Sequence, residues 1–385
     1  MKKLDGTLPY VSLLAFSSMA LTRVCDPMLT TLSSEYQVSI GHASRVISWY
    51  AVAYGAMQLL WGPLGDRLGK VRVVIWAGLA CAVLCGVAAF VSDFALLVGV
   101  RVAMGAMAAA ILPLSMAWIG DAVAYEERQQ TLAQLMAASV TGMMAGQWFG
   151  GLAAEHLGWR WAFGALAAAF LAASVLLRQR TGGQRPVPAQ TQQSLLGHMA
   201  NSARLLAKPR VRWVLGASAL EGALVFGPLA FAPSQLTQAF GASITMAGAL
   251  MMLYGAGGLA YALFAKRWLR AFGERGLSLL GGILVAASLL LLGWAREPTL
   301  GALACALGGL GFYMLHNTLQ THATQMAPEG RGAAVALFAS ALFLGQSFGV
   351  GTVALLLDRS PTWAIYSVAA FAIAALGWAV SRRIG

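Results

Sequence analysis

Four ionisable residues interrupt stretches that are otherwise apolar: Arg23, Asp26, Arg101 and Glu221. A carboxyl withdrawn from water is a candidate proton carrier, because gaining or losing its charge biases any two conformations that surround it differently. Asp26 and Glu221 could serve in that way. Arg23 sits three residues before Asp26 on a neighbouring helical face and could be its local partner. At a rise of 1.5 Å per residue, Asp26 and Arg101 lie about 9 and 10 Å inside the same ends of their segments, so an Asp26–Arg101 contact is open as well. Glu221 lies about 14 Å deep, with no basic residue near that depth on its own helix. Farther along, Tyr313, His316, Asn317, Gln320 and His322 share one segment. His316, Asn317 and Gln320 fall at i, i+1 and i+4, largely one polar face of an apolar helix, which suits a cavity wall. His316 reads as a proton relay or as a histidine hydrogen-bonded between helices; His322 falls towards the segment's end. No HExxH, CxxC, glycine-rich phosphate loop or plausibly set Ser/His/Asp order occurs, so no metal, cofactor or enzyme activity is expected.

These residues stand out because the chain around them is so poor in charge. Of 385 residues, 59% are hydrophobic and 10% charged, whereas soluble chains run at about a quarter charged. Residues 46–65, 73–92, 129–154, 276–295, 332–357 and 361–381 contain no Lys, Arg, Asp or Glu. A bilayer core about 30 Å thick takes roughly 20 helical residues to cross, so each run can span it. Twelve spans are expected, at 8–32, 45–65, 72–92, 94–120, 129–153, 160–177, 212–233, 243–265, 276–294, 298–325, 332–357 and 361–381. This is an all-α integral membrane protein with almost nothing left over for a soluble domain. Lys2-Lys3 followed by an apolar stretch looks like a signal peptide, but Arg23 and Asp26 interrupt it and it is kept as the first span.

The net charge of +12 records topology. Lys2, Lys3, Arg67, Lys70, Arg72, Arg128, Arg178, Arg180, Arg185, Arg204, Lys208, Arg210, Arg212, Lys266, Arg267, Arg270, Arg275, Arg331, Arg382 and Arg383 all fall on the side that twelve spans assign to both termini. The opposite side receives only Arg45, Arg160, Arg296 and Arg359. Lys and Arg resist translocation, so the termini are expected in the cytoplasm, with anionic lipid as a partner and no nucleic-acid role. Cys25, Cys81, Cys85 and Cys305 all lie in apolar spans and read as small packing residues.

Residues 179–209 form the only long polar connection, a linker with a weakly amphipathic stretch from Leu195 to Leu206. It divides one bundle of six spans (1–178) from another (210–385). The halves echo each other at an offset near 200: Tyr54-Gly55-Ala56 with Tyr254-Gly255-Ala256, Gly146-Gln147-Trp148-Phe149-Gly150 with Gly345-Gln346-Ser347-Phe348-Gly349, Glu126-Glu127-Arg128 with Glu329-Gly330-Arg331, and Trp161-Ala162 with Trp363-Ala364. A parallel six-plus-six repeat places a binding site between the halves near the midplane. Aromatic and thioether side chains, among them Tyr54, Tyr254, Tyr313, Met104, Met143 and Met251, offer that site apolar and cation-stacking surface.

Residues 62–72 read Gly62-Pro63-Leu64-Gly65-Asp66-Arg67-Leu68-Gly69-Lys70-Val71-Arg72 and are expected to form the loop between spans two and three. Glycines let helix ends approach and turn tightly, and Asp66 could accept N–H groups at a neighbouring helix start. The stretch resembles motif A of the major facilitator superfamily, which in that family latches the two halves on the cytoplasmic side. The resemblance implies gating roles for Gly62, Gly65, Asp66, Arg67, Gly69 and Lys70, with Asp121 as the acid partnering them. Arg101-Val102-Ala103-Met104-Gly105-Ala106 resembles motif B, whose arginine is associated with proton coupling. Gly142, Gly146, Gly150 and Gly151 resemble the helix-packing glycines of motif C, although Gln147 stands where the family usually has proline. The second copy of motif A, from Tyr254 to Arg275, keeps basic charges but lacks the acid.

What the resemblance implies is a major facilitator fold of two pseudo-symmetric six-helix bundles, most like the bacterial drug:proton antiporter branch. It implies a monomeric, proton-coupled transporter of a bacterial-type inner membrane that exports a small amphiphilic molecule by alternating access. Proton coupling would fall to Asp26, Glu221, Arg101 or His316. Substrate would meet Arg23, Asp26, Tyr54, Met104, Gln147, Glu221, Tyr254, Tyr313, Asn317 and Gln320. The same fold could instead carry an organic anion, at Arg23 and Arg101, or a metabolite, a siderophore or a lipid.

Overall fold

The computed structural model describes residues 6–182, 195–294, 297–327, 330–357 and 359–383. Lys2, Lys3, Arg185 and Arg296 of the charge tally, Glu329 of the repeat, and 183–194 of the linker lie outside them.

Helix α1 runs Leu8–Arg23 and stops because Pro27 has no N–H to give the Arg23 carbonyl. The chain turns through 24–28, where Asp26 N–H donates to the Arg23 carbonyl at 3.2 Å and Met28 N–H to Cys25 at 3.1 Å. Helical structure resumes at Leu29–Glu35. The other helices of the first half are α2 (Arg45–Leu68), α3 (Lys70–Ala88), α4 (Phe94–Ala122), α5 (Tyr125–Leu152) and α6 (Arg160–Thr181). A wide π turn at Ala153–Leu157 ends α5. The linker carries α7 (Leu195–Leu205). In the second half, α8 (Pro209–Ala239) contains another π turn at Gly222–Phe226, just before Pro228. Then come α9 (244–272) and α10 (274–294), divided at Gly273, and α11 (Pro298–Gln325), α12 (Arg331–Leu357) and α13 (Thr362–Arg383).

Among the described residues, eight helical stretches are long and apolar enough to cross a bilayer on their own. One of these, Ile244–Trp294, is α9 and α10 together. Adding α1, only 16 residues long before its break, and α2 and α5, whose polar residues lower their hydropathy, gives the twelve spans. The expected loop at 62–72 is not a loop. Helix α2 continues to Leu68, a single Gly69 at φ 89° makes the turn, and α3 starts at Lys70. Only glycine adopts that backbone angle without strain. Helix α9 likewise runs on past residue 265 through Lys266, Arg267 and Arg270; charge at a helix end ends the span without ending the helix.

The core divides into a cluster centred on the first half, another in the second, and a small third around Tyr261, Leu277 and Met314 of the second half. In both halves, glycine lets one helix lie directly on the carbonyls of another. Gly146 of α5 packs on the Ala20 carbonyl of α1, and Gly150 on that of Val24. Gly345 and Gly349 of α12 pack in the same way on Ala219 and Ala223 of α8. All four residues of one contact map on the other at an offset of 199, so the repeat extends from sequence into packing. Gly142 sits one turn along on Phe16.

The two halves meet on the side away from the termini, here the far side. Ala230, Phe231, Val350 and Val353 of the second half join the first half's core there. Gly41 packs on the Ala354 carbonyl at the far end, and Gly151 on that of Ile244. At the midplane Tyr54 lies on Phe343, ring centroids 4.1 Å apart, and Gly255 on Met144. Among the described glycines, none nearer the termini than Gly55 approaches the other half. The molecule is sealed from its middle to its far side.

Because a Cβ at either repeat glycine meets backbone, Gly146→Leu and Gly345→Leu should each destabilise the protein by about 1–3 kcal/mol. Thermal unfolding in detergent checks this: a lowered midpoint for both is expected, with an unchanged one for Gly62→Leu, whose site is open.

Candidate functional site

Between the bundles lies a cavity lined by Arg23 of α1, Met143, Met144 and Gln147 of α5, Leu229 of α8, Met251 and Tyr254 of α9, and Tyr313 of α11. Its free volume is about 10 Å³, enough for about one water. Among the described residues Arg23 is the one charged side chain in the wall. The broken end of α1 puts it there: the turn at Pro27 tucks Asp26 behind Arg23, where the carboxyl is fully buried. Arg23 approaches Asp26 Oδ2 at 3.5 Å, and the Gln147 side-chain amide donates to the same oxygen at 3.1 Å. Asp26 Oδ1 and Gln147 Oε1 have no hydrogen-bond partner. Arg23 also reaches across the interface to stack on Phe226 of α8, 4.3 Å from the ring centroid.

Of the two partners open to Asp26, the structure selects Arg23. Arg101 is engaged elsewhere. It donates through Nε to the Val46 carbonyl and through Nη1 to the Leu21 carbonyl, both at 3.0 Å, and stacks on Tyr50 at 4.1 Å. Both carbonyls and the ring are buried within the first bundle, so Arg101 ties α1, α2 and α4 together in the far half of that bundle. Met104 is buried there and its sulfur lies 3.9 Å from Arg101.

Glu221 in the second bundle is fully buried and finds its partner on another helix: His316 Nδ1 of α11 lies 2.9 Å from its Oε2. The π turn begins at the next residue; a wide turn of this kind re-aims the side chains around it. His316 stacks on Phe312 at 4.9 Å and 18°, and packs against Phe338 of α12. Glu221 and His316 stand outside the cavity wall. Asn317 turns its amide back on the Tyr313 carbonyl of its own helix, 2.8 Å away, and Gln320 is exposed. Tyr54 is covered by Phe343. Of the expected substrate contacts, then, Arg23, Gln147, Tyr254 and Tyr313 come together in the wall with Asp26 behind them. Tyr54, Met104, Glu221, Asn317 and Gln320 do not.

At the terminal side Lys70 bonds both Asp121 of α4 and, at 3.4 Å, Asp66. Asp66 therefore meets the start of α3 through the Lys70 side chain. Gly65 packs on Leu114, while Gly62 has open space around it. His322 pairs with Glu274 at 3.0 Å.

Glu155, in the π turn at the far end of α5, went unread in the sequence. Its Oε2 accepts the Thr245 N–H at 2.7 Å, capping the first turn of α9 from the opposite bundle. The Thr245 amide, first among its surroundings, holds the Glu155 carboxyl below the ordinary carboxylate range. Met144 and Leu229 of the wall were missed for a different reason: one more Met or Leu in an apolar span carries no signal.

Comparison with known proteins decides the family. Residues 11–350 match the sequence profile of the Major Facilitator Superfamily. The chain belongs to that superfamily. It is a multi-pass membrane transporter and not an enzyme. It is 25% identical to an uncharacterized MFS-type transporter, YceJ of Bacillus subtilis, over 85% of this chain and 83% of that one. Over 42% of its length it is 27% identical to the multidrug efflux pump LfrA of Mycolicibacterium smegmatis, covering 31% of that protein. The crystal structure of the nucleoside transporter NupG superposes with a TM-score of 0.79 at 16% identity, over 98% of this chain and 100% of that one. That likeness concerns the fold alone.

The far-side bond gives a pH prediction with a definite sign. A carboxyl whose pKa is depressed by its partner contributes above its ordinary pKa and stops contributing as pH falls through the depressed value. Amide hydrogen exchange of the peptide beginning at Ile244, corrected for intrinsic rate, should show protection lost over that acid range. Glu155→Ala should be unprotected at every pH. Equal protection in variant and parent would contradict the assignment.

Proposed function

We propose that this transporter is proton-coupled and exports a small amphiphilic molecule by alternating access. The observation that carries this is the shared oxygen of Asp26. One carboxylate oxygen holds two side chains, Arg23 and Gln147, that both form the wall of the cavity between the bundles. Ionised, Asp26 keeps that wall ordered for a ligand. Protonated, it loses its attraction for the guanidinium and one acceptor site for the amide, and the wall loosens. Proton and ligand then oppose each other, and by linkage the opposition is mutual. That is the thermodynamic requirement of an antiporter.

In the cycle so derived, the terminal side is cytoplasmic, as the excess of basic residues there supports. The conformation sealed on the far side faces the cytoplasm, and its cavity, which now has room for about one water, widens as substrate loads from there. The bundles rock, the far side opens, and a proton taken up at Asp26 promotes release and the return. Glu221 and His316 form a second exchangeable pair joining α8 to α11 within the second bundle. Arg101 acts as a brace for the first bundle. Lys70, Asp66 and Asp121 form the terminal-side gate. Export and a bacterial inner membrane are supported by the efflux relatives, LfrA among them. A single chain supplies both bundles and so works as a monomer.

Proteoliposomes with an imposed pH gradient test the coupling. Asp26→Asn and Glu221→Gln are each made, and gradient-driven uptake is compared with downhill exchange. Gradient-driven uptake should fall on the order of tenfold or more in at least one variant while exchange persists. Full coupling in both would reject the proposal.

A further inference from the structure

The cavity also contains groups that coupling does not use, and together with the Arg23–Asp26 pair and Gln147 they bear on which molecules it accepts. Resting on the transport reading above, we infer that the substrate is an uncharged aromatic amphiphile with a carbonyl-type acceptor beside an N–H or O–H donor. Lipophilic cations are not its substrates.

Consider first the sign of charge. Among the described residues both buried acids are engaged away from the cavity: Asp26 lies behind Arg23, and Glu221 pairs with His316 outside the wall. Neither acid is in the cavity wall, and Arg23 is. A cation entering the cavity meets a guanidinium before any carboxylate. An anion meets the guanidinium but feels Asp26 behind it, so the attraction is largely cancelled while the cost of leaving water remains. What the pair presents to the cavity is the positive end of a dipole. The negative end of a ligand dipole, such as an amide or ketone oxygen or a nitro group, matches it without carrying net charge out of water.

The uncommitted polar atoms agree. Tyr254, 4% exposed, lines the cavity, and its hydroxyl has no hydrogen-bond partner. A buried hydroxyl without a partner is costly, and an acceptor on the ligand satisfies it. Gln147 commits its amide nitrogen to Asp26 and leaves Oε1 unpartnered, which calls for a donor. An acceptor and a donor on one ligand answer both. The thioethers of Met143, Met144 and Met251 give an adaptable surface for the flat apolar remainder.

Binding to the purified protein in detergent, at fixed pH and without a gradient, tests the inference apart from coupling. The probes are a panel of uncharged aromatic amides and nitro compounds that includes chloramphenicol, and two ions of one shape and opposite charge, tetraphenylphosphonium and tetraphenylborate. Panel members should bind, and neither ion should displace them at equal concentration. Tyr254→Phe, which removes only the unpartnered hydroxyl, should weaken the best panel member roughly three- to tenfold. Arg23→Lys, which keeps the charge but loses the planar fork, should weaken it as well. Tighter binding of either ion, unaltered affinity in Tyr254→Phe, or binding of no panel member overturns the inference. None of these results touches the flux comparison of Asp26→Asn and Glu221→Gln, so each reading can fail alone.

Discussion

A charge inside a membrane must find its counterpart within the protein, because the surrounding hydrocarbon offers none. Most of what is distinctive about this molecule follows from where it meets that demand. Arg23, Asp26 and Gln147 satisfy one another at the seam between the bundles; Glu221 and His316 do so within the second bundle, and Arg101 uses backbone carbonyls within the first. The group at the seam is the one that can feel the bundles move. Its neighbours include Phe226 from the opposite half, so the guanidinium bridges the interface as well as neutralising Asp26.

The backbone has been shaped to make this possible. Pro27 interrupts α1 one residue beyond Asp26, and the freed Arg23 carbonyl is taken by the Asp26 amide. An unbroken helix would set Arg23 and Asp26 on a regular face; the turn lets the carboxyl sit behind the guanidinium. In the second half the interruption is a wide turn beginning after Glu221, ahead of Pro228. Around these irregular segments the packing is regular, with glycines of α5 and α12 pressed on carbonyls of α1 and α8 in matching positions. Irregular backbone is confined to places where protein surrounds it, as hydrocarbon requires.

The bundle architecture was legible in the sequence because it depends on quantities summed over many residues. Charge-free runs, the lopsided distribution of Lys and Arg, and a repeat at a constant offset all survive errors at single positions. The site was legible in part. Gly146 and Gly150 could be read from spacing, and Arg23 and Asp26 from their exception to the apolar rule. Partner choice could not. Glu221 and His316 are 95 positions apart, and no sequence rule fixes the relative rotation of two helices. Asp26 had two plausible arginines, and only the local break in α1 favours the nearer. Residues 62–68 read as a loop because glycine, proline and charge there suggest one, yet helix α2 carries them. Glu155 escaped notice since an acid at a membrane rim is ordinary until the other bundle is seen against it.

Distances between spin labels probe most directly whether the two bundles open on alternate sides under control of their buried acids. The four native cysteines are buried, which leaves introduced ones to react. Trp49 and Leu355, 49% and 70% exposed, report on the far side; Gln134 and Leu263 report on the terminal side. On acidification the first distance should shorten while the second lengthens, and Asp26→Asn should hold the protonated pattern at every pH. Two distances that stay fixed, or that lengthen together, would contradict the account.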